Sequence, residues 1–220
     1  MMETMYEWQG RSTKGLQELM FLLFGRDVQR FHTVPMLHGE NLATHQFGVA
    51  WLVYLITEGT VVCTVPLIMS ALSHDMAEQL WGDIPAPAKK LLNADQQFSN
   101  AEAQTLFENG MFFALTESER AILKIADYME GMLTCVHERR MGNRYMEIIY
   151  QRRFRQYVLD YRRSYEQHLT ERIIQRVATL FRALDELWKE TLAPYSPVEP
   201  VDEELALPNK PLYPMKTDAP

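Results

Sequence analysis

The stretch Ala71–Leu92, ALSHDMAEQLWGDIPAPAKKLL, constrains the fold more than any other part of the chain. It sets His74 and Asp75 side by side after an apolar run, then Glu78, then Asp83 beyond a glycine. An adjacent histidine and carboxylate ligate one divalent ion only where both point into the space between packed helices. The other ligands must then come from distant segments, so those segments have to converge on this pair. A helix beginning near Pro66 has about 3.6 residues per turn, which predicts His74 and Glu78 one above the other on the same face. Gly82 and Pro85 stop that helix, leaving Asp83 free to turn back toward the same pocket.

Two segments stand at suitable places to supply the rest. Upstream, Asn41-Leu-Ala-Thr-His45 opens an apolar helix, and downstream Ile125-Ala-Asp127-Tyr128 lies inside another. Taken singly, His45 reads as a satisfied core or capping histidine; beside His74 and Asp75 it reads as a ligand. Asp127 is harder to place otherwise, because a carboxylate buried in an apolar stretch must be paired or bound to a cation. His45, His74, Asp75 and Asp127 together give a mixed nitrogen and oxygen shell. Such a shell suits a divalent transition metal (Zn, Co or Mn, with Fe also compatible) better than the all-oxygen set typical of Mg.

The chain as a whole bounds what this site can serve. Its 220 residues permit one substantial domain with a core that needs no staples. With 22 basic and 29 acidic residues the net charge is −7, which argues against a nucleic-acid polymer as partner but not against a small nucleotide in a locally basic cleft. Cys63 and Cys135 are too few and too far apart for a disulfide framework or a CxxC metal site, as expected of a reduced, cytoplasmic protein. The opening MMETMYEWQGRSTKG has no apolar core of a signal peptide, and the apolar runs Phe47–Ile56 and Val61–Leu72 are too short to span a bilayer, so no membrane role is expected.

Read in order, the pattern is all-α. Helices are predicted over Leu16–Phe24, Thr44–Glu58 (capped by Thr44 or Asn41), from Pro66 through Glu78, and around Asn100–Glu108. Arg26–Glu40 reads as a loop holding Arg30, and Pro85 with Pro87 as an extended loop. Thr116-Glu-Ser-Glu119 is a capping box that opens a long helix through Asp127 toward Arg139. Gly142-Asn143 breaks it, and two amphipathic helices follow over Arg144–His168 and Glu171–Thr191, with Thr170 as the cap between them. The expected organisation is one domain over 1–192, with the metal-site core at about 20–150. Seven of the eleven prolines lie from Pro194 onward, so 193–220 reads as an extended or disordered tail. Arginines crowd the region from Arg139 to Arg163; a solvated or subunit-facing surface is the expectation there rather than a polyphosphate site.

The order H…HD…D resembles the HD-domain metal-dependent phosphohydrolases. HDMAEQLWGDIPAPAK, from His74 to Lys89, is similar to the HDxxExxxGDxPxPxK segment of bacterial 5′-deoxynucleotidases and phage dATP triphosphohydrolases. Arg30-Phe-His-Thr-Val-Pro35 resembles their substrate-binding Arg-aromatic stretch, most closely in the phage group. The resemblance covers roughly residues 20–150. It implies an HD-type helical bundle with the metal between helices, 2′-deoxynucleotide substrates cut at the 5′ phosphate ester, and homo-oligomers. On the site it implies Glu78 and Asp83 as the catalytic carboxylates and Arg30 as a phosphate clamp, with Lys89 a second candidate and Phe31 and Trp81 as faces for the base or sugar. Whether Glu78 orients and deprotonates water or protonates the leaving oxygen stays open. Two substrates also stay open: dATP, giving deoxyadenosine and triphosphate, and deoxynucleoside monophosphates. A non-catalytic nucleotide-binding module is a third reading, disfavoured because all four ligand positions are filled.

Overall fold

The computed structural model describes residues 14–192. In chain order its elements are α1 (Lys14–Gly25), β1 (Gln29–Arg30), β2 (Glu40–Asn41), α2 (Leu42–Thr57) and α3 (Val65–Ala71). A 3₁₀ turn (Met76–Leu80), α4 (Ala86–Leu91), α5 (Asp95–Glu108) and α6 (Glu117–Arg140) come next. Then α7 (Met146–Ile149) runs through a π turn (Tyr150–Phe154) into α8 (Arg155–Tyr165), and a short 3₁₀ turn (Glu166–His168) leads to α9 (Glu171–Leu192).

Local chemistry starts the helices that matter most. Asn41 caps α2, its Oδ1 accepting the Thr44 N–H at 3.0 Å. Thr64 caps α3 by accepting the Leu67 N–H at 3.2 Å, with Pro66 in the first turn. Thr116 and Glu119 form the full capping box of α6: Thr116 Oγ1 accepts from Glu119 N at 3.2 Å and Glu119 Oε2 accepts from Thr116 N at 2.9 Å. Glu119 also accepts the Thr64 hydroxyl at 2.6 Å, so one carboxylate joins the starts of α3 and α6.

Helix α6 is the axis of the bundle and packs against α2, α3, α7, α8 and α9. It buries Ile122, Ile125, Met129, Met132 and Cys135 against Val49, Val53 and Ile56 of α2 and Ile173, Val177 and Trp188 of α9. At about 1.5–3 kcal/mol for each large apolar side chain removed from water, this core dominates the stability of the described residues. A second cluster, Phe21, Leu42, Met76, Ala77 and Leu106, fastens α1, the 3₁₀ turn and α5 to the start of α2. Gly25 allows that closeness, because a Cβ there would collide with the side chain of Met76.

Among the described residues the bundle is all-α apart from one two-stranded ladder, in which Arg30 pairs with Glu40 and Gln29 with Asn41. Directly opposed residues of a ladder share a face, so the pairing sets the Arg30 and Glu40 side chains together.

Four local expectations change. The helix from Pro66 ends at Ala71, and His74 falls in the turn before the 3₁₀ segment that carries Glu78. Met76 N–H bonds to Ser73 O and Glu78 N–H to Asp75 O, the tighter pattern of a chain turning back on itself. Pro85 and Pro87 do not hold an extended loop. They sit just before and inside the first turn of α4, where a proline lacks no needed donor. Helix α5 begins earlier than its apolar residues suggest, at Asp95. The span Arg144–His168 is four segments, ending in a short 3₁₀ turn, with a π turn where one more residue is accommodated between α7 and α8. The proline-rich tail after 192 lies outside the described residues.

Candidate metal centre and active site

Helix α2 brings in His45, fully buried; the turn after α3 brings in His74 and Asp75; α6 brings in Asp127. His45 Nε2 lies 3.5 Å from Asp75 Oδ2 and 3.4 Å from Asp127 Oδ1, and His74 Nε2 lies 3.3 Å from Asp75 Oδ2. His74 Nδ1 donates to the carbonyl of Ala71 at 3.1 Å, which leaves its Nε2 with a lone pair. His45 Nδ1 meets Glu130 Oε2 at 2.6 Å; in the tautomer in which Nδ1 donates to that carboxylate, Nε2 is left in the same state. Both Nε2 atoms are buried and have no hydrogen-bond partner among the described residues. Two imidazole lone pairs facing two carboxylate oxygens repel one another unless a cation stands among them. The donor set therefore fits a divalent metal, and a neutral imidazole fixed through its other nitrogen is the form that binds one.

Around these four donors the charge is arranged unevenly. Asp127 turns its second oxygen to Lys124 Nζ at 2.6 Å. Burial is the largest single influence and would raise the Asp127 carboxyl, but Lys124, His74 and Arg30 together outweigh it and hold Asp127 down at about 2. Glu78 goes the other way. Burial, reinforced by the charges of Asp75 and Asp83, pushes its carboxyl up to about 10, and its Oε2 has no hydrogen-bond partner. Asp83 accepts the Phe31 N–H at 3.3 Å, tying the end of the 3₁₀ segment to the Arg30–Phe31 strand end. Phe31 holds a left-handed backbone with φ of 56°, unusual for a bulky residue and a mark of local strain held by its surroundings.

Arg30 sits deeper than a surface clamp. Its Nη1 is 3.4 Å from Glu40 Oε2 and 3.6 Å from Glu130 Oε2, with only 11% of the side chain exposed. Burial and the adjacent Glu130 push the Glu40 carboxyl up to about 8, and burial pushes Glu130 up to about 7. Thr134 Oγ1 lies 2.6 Å from Glu40 Oε1 and 3.3 Å from Glu130 Oε1.

The remaining expected substrate contacts are spread around this centre. Lys89 reaches Glu102 at 2.8 Å, yet feels the charges of Glu78 and Asp75. Phe31 meets Phe154 edge-on at 5.8 Å, under the Arg30 guanidinium. Trp81 packs on the second cluster, edge-on to Phe98 at 6.2 Å. Arg155, from the arginine-rich region, is engaged by Asp185, and Arg140 and Arg162 approach Glu190 and Glu166. The pairs with Asp185 and Glu190 tie α8 and α6 to α9, and the pair with Glu166 closes within one helical turn. Glu130, Glu40, Lys124 and Thr134 are not singled out by the sequence reading. Three of them stand at helical spacing from Asp127 on α6, and that spacing is the signal that would find them.

Residues 26–187 match the family described as HD domain. The chain belongs to the HD domain family. A solved structure of the cyanophage S-2L HD phosphohydrolase (DatZ), bound to dA and one catalytic Zn²⁺ ion, is similar to this HD domain with a TM-score of 0.57 at 19% identity. The alignment covers 76% of this chain and 96% of that one, a likeness of fold. No curated protein sequence matches significantly.

Proposed function

We propose that this HD domain is a metal-dependent phosphohydrolase that cleaves 2′-deoxynucleotides at the 5′ phosphate ester, with dATP going to deoxyadenosine and triphosphate. The observation that carries the reading is the pair of buried, unpartnered Nε2 atoms of His45 and His74 facing Asp75 and Asp127. A bound divalent ion would supply charge stabilisation at the phosphoryl group and a more acidic water. The chain's own groups do the rest. Glu78 holds its proton near neutral pH and is suited to give it to the departing 5′ oxygen. Asp83 raises the proton affinity of Glu78 and holds the Phe31 backbone. Arg30, fixed by Glu40 and Glu130, presents a guanidinium that cannot lose its charge. Lys124, with 44% of its side chain exposed beside Asp127, and Lys89 neutralise the outlying phosphates. Phe31 and Trp81 offer aromatic faces to the sugar or base.

That the cyanophage protein was solved with dA and zinc supports deoxyadenosine as the nucleoside and zinc as the metal. Both cysteines are free thiols, one exposed and one buried, which suits a cytoplasmic enzyme. Helix α2 has no Asp, Glu, Lys or Arg, and its outer face exposes Phe47, Trp51 and Tyr54, which supports a homo-oligomer closed over that face. The test of the reaction is product chromatography with dATP, dAMP and ATP side by side. Intact triphosphate from dATP, with ATP much poorer, is the expected result. Stepwise release of phosphate from the γ end would overturn it, and rapid dAMP hydrolysis with inert dATP would make the enzyme a 5′-deoxynucleotidase.

A further inference from the structure

One carboxylate oxygen, Glu130 Oε2, stands 2.6 Å from His45 Nδ1 and 3.6 Å from Arg30 Nη1. All three groups are buried or nearly so. Thr134 steadies the other Glu130 oxygen, and Glu40 holds Arg30 from a second side without hydrogen-bonding to His45. The approach depends on Gly48, one helical turn beyond His45 on α2. A Cβ at that position would lie 2.8 Å from Glu130 Cγ and 3.2 Å from its Oε1, closer than packed carbons and oxygens tolerate.

We propose that Glu130 is a positioning residue that sets two groups at once, turning the His45 imidazole toward the metal and the Arg30 guanidinium toward substrate phosphate, and that Gly48 is the opening that admits it. The proposal rests on the metal-centre reading above. Its physical content lies in the hydrogen bond from Nδ1. An acceptor there fixes the tautomer and ring angle of His45 and makes Nε2 a better donor to a cation. The same oxygen is an ion-pair neighbour of Arg30 Nη1 at 3.6 Å, so one carboxylate stands beside both the metal site and the phosphate site. Glu40 meets Arg30 directly and reaches His45 only through its hydrogen bond to Glu130, a bond that a glutamine at position 40 can still make.

This asymmetry gives a test whose main readout is binding and not turnover. Zinc is titrated by calorimetry into chelator-treated wild-type protein and into Glu130→Ala, Glu130→Gln, Gly48→Ala and Glu40→Gln. KM and kcat for dATP are measured on the loaded forms. Glu130→Ala should weaken zinc binding by about 10- to 100-fold, the range seen when an outer partner of a metal-bound histidine is removed. Glu130→Gln should weaken it less, because an amide oxygen still accepts from Nδ1 without the charge. Gly48→Ala removes no polar group and adds helix propensity, yet should weaken zinc binding and raise KM by pushing Glu130 aside. Glu40→Gln should raise KM and leave zinc affinity near wild type. Should Glu130→Ala fail to fold, Gly48→Ala decides the matter. Unchanged zinc affinity in folded Gly48→Ala and Glu130 variants would overturn the proposal, as would an equal loss in Glu40→Gln, which marks general loosening. Failure of wild type to bind zinc would instead strike the metal-centre reading itself.

Discussion

At Glu78 a buried carboxyl of raised proton affinity stands beside the residues proposed to hold a cation, and substitution separates the two roles. Glu78→Gln should keep the metal and the fold and lose turnover by on the order of 10²-fold or more. His74→Ala or Asp75→Ala should lose metal and turnover together, since each opens the proposed shell of four. Elemental analysis beside product formation checks both, and a Glu78→Gln rate near wild type would return that residue to a merely structural part. Glu40 predicts a pH effect of definite sign. Its carboxyl rises from 4.5 to about 8 on folding, so the folded chain binds the proton more tightly. Its contribution is therefore complete below pH about 4.5 and is lost as pH rises toward 8. In chelator-treated protein the loss should be on the order of 1–3 kcal/mol, because a proton shared with Glu130 softens the ~1.4 kcal/mol per unit expected of an isolated group. Urea midpoints from pH 5 to 8.5 should fall in wild type and fall less steeply in Glu40→Gln; equal slopes would remove Glu40 as the source.

The π turn between α7 and α8 does at the level of an element what Gly48 does at one position. It places the Phe154 ring against Gly131 of α6, where a Cβ would lie 2.6 Å from Phe154 Cδ1, and so brings Phe154 edge-on to Phe31. Gly131→Ala should therefore cost about 1–3 kcal/mol, the range for overpacking a tight contact. It should also raise KM more than it lowers kcat, a split that steady-state kinetics would reveal or refute. Sequence alone does not disclose this turn, because its register answers to α6 and α9 rather than to local propensity. The caps at Asn41, Thr64 and Thr116 are legible because each bond closes within a few residues. His45, His74, Asp75 and Asp127 are legible because polar side chains in apolar runs demand partners. The break at Ala71 is not, since nothing in VPLIMSALSHD forbids another helical turn; past the break Met76 and Ala77 enter the second cluster. Glu130 hides for a different reason: a glutamate on a long charged helix looks solvated until the fold supplies His45.

On the scale of the whole molecule, α9 closes the bundle against both α2 and α6. Ile173, Val177, Leu184 and Trp188 enter the main core, and Arg172 and Arg176 donate to the carbonyls of Glu58 and Leu55 at the end of α2. Ile173→Ala should cost about 2–5 kcal/mol by leaving a cavity in that core, read as a lowered urea midpoint. A smaller cost would mean that the seam between α9 and the bundle can collapse around the gap. Trp51→Glu, on the uncharged outer face of α2, should lower the mass seen in light scattering while leaving circular dichroism unchanged. An unaltered mass would place any subunit contact elsewhere. The closure by α9 has a consequence in time. The helix that carries His45 and the helix that covers it are more than a hundred residues apart, so the ribosome finishes one long before the other. Until α9 emerges, the nascent chain carries its ligands on helices with an open flank, and the order of synthesis delays a working centre until nearly all the described residues have been made.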